Sequence, residues 1–243
     1  MASEAAKKVT GAMVMAAGLG KRMRPLTAST PKPLVRVAGR PLIDHTLEHL
    51  ARSGVSHVVV NVHYLADALE GHVQTAPFGM DYAVSDEREK LLETGGGLVK
   101  ALPQIASDPF YCVNSDNIWV DGPRSALVQL AEEWDGERMD ALLLLVPHAR
   151  AHHHGGSGDF HLDGAGRISR RMERKVAPFI FTGVQLMAKS LVEGPDGEAF
   201  STNRFWDRAI EAGRLYGSIF DGEWFDIGTP AAIKPTEAWF ANG

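Results

Sequence analysis

Short apolar runs that read as strands alternate with segments of helical periodicity. That alternation is what most restricts the folds open to this chain. The first run, residues 13–17, stops at Gly18 and gives way to a loop over 18–39 rich in Pro, Lys and Arg. A helix is predicted from Pro41, with Ile43, Leu47, Leu50 and Ala51 on one face and Gly54 able to close it. The pattern then repeats: a β-branched strand over 56–62, a short helix over 65–73 and an edge strand over 81–85. A helix running from Gly95-Gly96-Gly97 to Leu102, a strand over 110–113, a helix over 124–134 and a central strand over 139–146 follow. The later part predicts a hairpin, 159–162 with 167–169, around Asp163-Gly164-Ala165-Gly166. A long strand over 179–187, a helix over 205–213, strands over 215–220 and 224–225, and a closing helix over 230–240 complete the reading. The expected class is α/β: a Rossmann-like, mixed but mostly parallel sheet with helices on both faces. No shift in composition marks a boundary, so one domain over 1–243 is expected.

Composition serves mainly to exclude. At 44% hydrophobic residues the chain can bury a full core, and a net charge of −5 without a basic stretch argues against a nucleic-acid partner. The single cysteine, Cys112, sits in the apolar stretch 110–113, which excludes a disulfide framework and leaves a buried, inert thiol. Residues 1–8 are polar, with no apolar signal core, and the longest dense apolar run, 139–146, is too short to cross a bilayer. A cytoplasmic protein with no membrane partner is expected. No hexapeptide repeat suggests a fused second domain.

Chemistry concentrates in the first loop. Gly18-Leu19-Gly20-Lys21-Arg22-Met23-Arg24-Pro25-Leu26-Thr27 is followed by Pro31-Lys32-Pro33-Leu34. Glycines after a strand let backbone N–H groups come close to phosphate oxygens, and Lys21, Arg22, Arg24, Lys32 and Arg36 supply cations beside them. The loop is not a P-loop: Gly20-Lys21 is followed by Arg22, and Met15 stands where the first glycine would be. Nor is it a dinucleotide fingerprint, because the third glycine is missing near Met23.

Over residues 13–43 the sequence resembles the opening signature of the sugar-1-phosphate nucleotidyltransferases. That signature is a strand, a Gly-x-Gly-x-Arg loop, Pro-Leu-Thr, Pro-Lys-Pro-Leu, and Gly-x-Pro-Leu-Ile. The resemblance implies a glycosyltransferase-A-like sheet with a nucleotide-binding half over about 10–120 and a sugar-phosphate-binding half over about 121–243. It implies that Ala17, Gly18 and Gly20 lie under the nucleotide, with Arg22 on the triphosphate and Lys32 at the reacting phosphates. Lys21, Arg24 and Arg36 match no catalytic position and are expected to be solvated or structural.

Two aspartates follow strand-like segments. Asp116 ends the 110–113 strand, where open α/β sheets place ligands, and Asp226 lies in Trp224-Phe225-Asp226-Ile227-Gly228-Thr229. Either could be only a turn or capping residue. The resemblance implies that both hold Mg²⁺, Asp116 also being catalytic and nucleotide-binding, and Mg²⁺ on a triphosphate takes one or two carboxylates. The family has Gly before the first aspartate where this chain has Ser115. Asp121 and Asp207 read as capping or surface residues.

Leu91-Leu92-Glu93-Thr94-Gly95-Gly96-Gly97 is a second glycine-rich element. Three glycines at a helix start are costly unless backbone must approach something, and a base edge or ribose is the expected neighbour. The resemblance implies base recognition here, with Gly95 and Glu87 at the nucleotide. For the sugar it offers Lys175, or Arg171, and the small-residue pair Thr182-Gly183, while Asn61 and His63 could reach from the second strand. The triplet His152-His153-His154 lacks ligand spacing and reads as a flexible loop near the sugar.

The implied activity joins a nucleoside triphosphate to a sugar 1-phosphate and releases pyrophosphate. Such an enzyme is a monomer or small homo-oligomer with Mg²⁺ as cofactor. No Ser-His-Asp or Cys-His arrangement competes. The wording Leu-Glu-Thr-Gly-Gly-Gly, with His153-His154-Gly155 and Gly158-Asp159-Phe160, is most similar to the N-acetylmuramate 1-phosphate uridylyltransferases of cell-wall recycling. Mannose-1-phosphate guanylyltransferases and glucose-1-phosphate uridylyl- or thymidylyltransferases are alternatives. A non-catalytic regulatory subunit that binds nucleotide sugar is the alternative of another class.

Overall fold

A computed structural model describes residues 9–242. In chain order its strands begin with β1 (Gly11–Met15), β2 (Arg36–Val37), β3 (Arg40–Pro41), β4 (His57–Val62), β5 (Asp81–Asp86), β6 (Phe110–Asn114) and β7 (Asn117–Val120). They continue with β8 (Ala141–Pro147), β9 (Ala151–His152), β10 (Phe160–Leu162), β11 (Ile168–Arg170), β12 (Phe179–Met187), β13 (Leu215–Ile219) and β14 (Glu223–Asp226). The helices are α1 (Leu42–Arg52), α2 (Ala66–Gln74), α3 (Glu93–Ala101), α4 (Ala126–Glu133), α5 (Asn203–Glu211) and α6 (Ile233–Asn242).

β1 pairs in parallel with β4 and with β6, and β5 continues in parallel beyond β4 as the sheet edge. β12 runs antiparallel between β6 and β8, β13 lies parallel to β8, and the β10–β11 hairpin joins the start of β12. The sheet is therefore mixed and mostly parallel, as expected. The chain winds outward from β1 through β4 to β5, then returns to β6 on the other side of β1. That reversal opens a crevice at the carboxyl ends of β1 and β6.

Alternation along each strand sends side chains to two cores. Val14, Val60, Val113 and Leu144 face a layer made by Leu47 and Leu50 of α1, Leu69 of α2 and Leu127 of α4. Met13, Val59, Cys112 and Leu143 face the opposite layer, with Leu98 of α3 and Phe205 and Trp206 of α5. β1, β4, β6 and β8 are apolar on both faces because both faces are covered. Cys112 is 2% exposed, and burial pushes its thiol up to about 12, so it stays a protonated, inert side chain.

A third core lies beneath the first loop, where Met23, Val35, Leu42, Ile118, Phe225 and Ile227 pack together with Trp239 and Phe240 of α6 against them. It belongs to a small sheet that the sequence reading lacked: β14 pairs antiparallel with β7 and parallel with β9. The expected 230–240 helix is a 3-10 turn, Pro230–Ala232, followed by α6. The 124–134 helix starts at Ala126, whose N–H is taken by the Asp121 carboxylate at 3.0 Å, a capping role. No helix among the described residues is long and apolar enough to cross a membrane.

Candidate active site

The crevice at the switch point is a cleft of about 420 Å³. One wall is the end of β1 and the loop behind it, Met15 to Gly18, and the floor is Asn114, Ser115 and Asp116 after β6. Leu91, Glu93 and Thr94 at the start of α3 make the opposite wall, and Lys32 reaches in from the first loop. The size and the placing of a few polar groups suit a small-molecule site.

Register brings the two aspartates to the same end of the small sheet. In the β7–β14 ladder Asn117 is opposite Asp226, and Asp116, in the turn just before β7, is one residue from that pair. The carbonyl of Thr182, at a bulge in β12, accepts from Asn117 Nδ2 and from Trp224 Nε1, both at 2.9 Å, and so ties the small sheet to the large one. Gly183 follows at φ +83°, and a Cβ there would run into Asn117 and Asn114. Thr182 is fully buried, and neither residue lines the cleft. The pair expected to touch the sugar instead supports the floor.

Around the aspartates the charges converge. Lys32 Nζ donates to Asp116 Oδ2 at 2.6 Å, with the lysine side chain 11% exposed and the carboxylate 33%. Gly20, at φ +58°, lies against Lys32: a Cβ at this glycine would be 3.1 Å from the lysine Cβ. Arg22 is exposed, and its guanidinium lies 3.1 Å from where a Cβ on Gly228 would stand, with Asp226 Oδ1 at 3.0 Å from the same point. Gly228 thus gives Arg22 and Asp226 room to pack over it. Lys32 and Asp116 therefore line the cleft as an ion pair, with Ala17 and Gly18 on the wall beside them, while Arg22 and Asp226 come together over Gly228 at the end of β14.

Ser115 replaces the glycine of the family motif without blocking the floor. It is 3% exposed, and its hydroxyl donates to Met15 O at 2.8 Å, clipping the end of β6 to the end of β1. The histidine triplet is also more ordered in its contacts than a free loop. His152 stacks on Phe225 with centroids 4.5 Å apart and pairs with Glu223 at 2.6 Å, while His154 Nδ1 lies 3.4 Å from Asp226 Oδ2. Adjacent residues diverge in direction, which spacing alone implies, but only the paired strands reveal that His154 faces a site carboxylate.

Several expected contacts are not made. Gly95, Gly96 and Gly97 approach the protein itself: a Cβ on Gly95 would be 2.5 Å from the Phe200 ring, and one on Gly96 would overlap Glu198 O. Phe200 O accepts from Gly95 N at 2.7 Å and Gly96 N at 3.2 Å. The glycine run is a packing surface for the 198–200 segment, not a cradle for a base. Glu87 is 1% exposed and does not line the cleft, its carboxylate being held by Asn61 and the Leu92 N–H. Asn61 lines the cleft, but its side-chain oxygen takes the Ala16 N–H at 2.6 Å. His63 hydrogen-bonds Glu87 O at 2.7 Å and lies outside the cleft. Lys175 is an exposed turn residue lining neither this cleft nor a second one of about 340 Å³ beyond it. That second cavity is lined by Asp159, Arg170, Arg171, Phe181, Asn203 and Trp206 among others, with Arg171 donating to Gly158 O at 2.9 Å and Lys175 O at 3.1 Å.

A family model described as nucleotidyl transferase matches residues 11–238. The chain belongs to the nucleotidyl transferase family. An N-acetylmuramate alpha-1-phosphate uridylyltransferase of Caulobacter vibrioides is 39% identical over 95% of this chain and 97% of that protein. One from Neisseria meningitidis serogroup B is 33% identical over 93% and 96%. The inositol-1-phosphate CTP transferase of T. maritima superposes with a TM-score of 0.77 over 95% of this chain and 94% of that one, at 21% identity, which speaks for the fold. In this nucleotidyltransferase the switch-point cleft holds the Lys32–Asp116 pair.

Proposed function

We propose that this nucleotidyltransferase condenses N-acetylmuramate 1-phosphate with UTP, giving the nucleotide sugar and pyrophosphate. The observation that carries the reaction is the Lys32–Asp116 ion pair in the switch-point cleft, with Arg22 and Asp226 close together over Gly228 at the end of β14. The uridylyl and muramate specificity is supported by the two relatives named above, each matched almost end to end. The setting proposed is the cytoplasm.

The triphosphate lies along the first loop, with Ala17 and Gly18 presenting backbone to it. Arg22 and Lys32 neutralise charge that builds on the phosphoryl oxygens. The acceptor's phosphate oxygen attacks the α-phosphorus in line. A new P–O bond forms as the bond from the α-phosphorus to the bridging oxygen breaks, and pyrophosphate leaves with the electron pair. The attacking group is already an anion, so no side chain needs to take a proton, and positioning supplies much of the rate. Asp116 and Asp226, partly exposed hard-oxygen donors at the same end of the small sheet, fit Mg²⁺, which when bound would shield the triphosphate's charge. Without nucleotide, Lys32 satisfies Asp116, and the incoming phosphates give Lys32 a new partner. The sugar extends toward the second cavity, where Arg171 meets it.

The test is pyrophosphate release with Mg²⁺, crossing UTP, GTP, dTTP, CTP and ATP with the 1-phosphates of N-acetylmuramate, N-acetylglucosamine, glucose and mannose. Strong release with UTP and the muramate alone is expected. Release with another pair would retain the reaction and overturn the substrate, and no release with any pair would overturn the catalytic reading.

A further inference from the structure

Glu87 is the most deeply buried carboxylate near the cleft, and no cation among the described residues pairs with it. Its charge is met by neutral donors: Asn61 Nδ2 at 2.7 Å on Oε1 and the Leu92 N–H at 2.9 Å on Oε2. Asn61 in turn accepts the Ala16 N–H at 2.6 Å through Oδ1. The chain of bonds therefore runs from Ala16, on one wall of the cleft, to Leu92, at the base of the other. Gly97 leaves room for it: a Cβ there would be 2.7 Å from Glu87 Oε1 and 3.0 Å from Asn61 Nδ2. Beyond Leu92, Glu93 is held at φ +57° and lines the cleft, a strained conformation that needs its neighbour fixed.

We infer that Glu87 and Asn61 are a positioning pair that sets the separation of the two cleft walls, and hence the affinity for the nucleoside triphosphate, without either side chain acting as the base reader. The inference rests on the reading of this cleft as the triphosphate site. Donor and acceptor identities make the pair specific. Only a carboxylate accepts at both oxygens, so Glu87 can hold Asn61 and Leu92 together. By taking the Asn61 amide nitrogen it also compels the amide oxygen toward Ala16. A glutamine at 87 breaks this in either orientation. If its oxygen meets Asn61, its amide nitrogen meets the Leu92 N–H. If it is reversed, nitrogen meets nitrogen at Asn61, and flipping Asn61 then leaves the Ala16 N–H unpaired. An aspartate at 61 opposite Glu87 sets two buried carboxylates together. Combining the two changes restores the pairing: glutamine at 87 accepts from Leu92 and donates to aspartate at 61, which accepts from Ala16.

The experiment measures the Kd for UTP with Mg²⁺ by calorimetry, the KM for the sugar 1-phosphate, and the melting temperature. These are compared in wild type, E87Q, N61D and the E87Q/N61D pair. Each single variant is expected to weaken UTP by about tenfold, since one buried donor or charge loses its partner. The double variant is expected to return to within about threefold of wild type, with the KM for the sugar phosphate unmoved throughout. If a single variant does not fold, the double variant must still fold and bind. A double variant that folds yet binds UTP poorly, or an E87Q that folds and binds as wild type does, overturns the pair while leaving the triphosphate reading intact. Equal weakening of both substrates overturns it too, by making the role merely structural. Wild type that binds no triphosphate overturns both readings.

Discussion

Asp226 is the residue whose role is most sharply testable. It ends β14, at the same end of the small sheet as Asp116, with Arg22 packed next to it over Gly228. The Asp226→Asn change preserves shape and removes a charged oxygen, so turnover is expected to fall by roughly 100-fold or more, with an unchanged circular dichroism spectrum. Arg171→Ala, at the second cavity, is expected to raise the KM for the sugar phosphate several-fold while leaving that for UTP alone, as steady-state kinetics would reveal. Ser115→Ala removes one buried hydrogen bond to Met15 O, and urea denaturation should record a loss of about 1 kcal/mol. Arg22 and Lys32 stood out in the sequence because a long motif surrounds them, and Asp116 and Asp226 because each follows a strand-like run. Glu87 and Gly95 were legible only as important. A glycine run announces that something comes close to the backbone, not whether that something is a ligand or Phe200. A lone glutamate cannot show whether it faces a cleft or an asparagine.

Among the elements, α3 and α1 carry consequences that can be measured. Gly96→Ala on α3 would drive a methyl group into the backbone oxygen of Glu198, which cannot rotate away, and a loss of about 1–3 kcal/mol is expected in chemical denaturation. On α1, His45 is 9% exposed and hydrogen-bonded to Val37 O at 3.1 Å. Burial holds its pKa below the ordinary 6.5, with the charges of Arg40 and His49 acting in the same sense against Val37 O and Asp44. The folded chain therefore binds this proton more weakly than the unfolded chain. The contribution of His45 to stability is complete above pH 6.5 and is lost as pH falls through that value toward the lower folded pKa. The melting temperature should drop between pH 7 and pH 5.5, and drop less in His45→Gln. Element identity was largely readable, because strands with both faces covered are continuously apolar and the helices carry a 3.6-residue stripe. β7 escaped because Ile118-Trp119-Val120 is short and follows an aspartate that already looked like the end of a strand. Its partner, β14, lies more than a hundred residues away, and no local pattern announces such a pairing.

At the scale of the molecule, two cores clamp the large sheet and a third carries the small sheet and α6 under the first loop. On the proposed function the substrates bind between these bodies, so occupancy should stabilise the fold. UTP with Mg²⁺ at 100 times its Kd is expected to add about 2.7 kcal/mol, seen as a rise in melting temperature that a chelator largely removes. A shift indifferent to the chelator would argue against the two aspartates as metal ligands. The attachment of the small sheet, through Thr182 O to Asn117 and Trp224, also bears on how such a sequence can change over time. The 195–197 turn is exposed, lies outside the ladders and can gain or lose residues at little cost. β7 and β14 cannot. Deleting one residue there would turn every later side chain to the opposite face of the ribbon. In β14 that would swing Trp224 and Phe225 out of their cores and turn Asp226 away from Arg22, so descent holds these two short ribbons at fixed length.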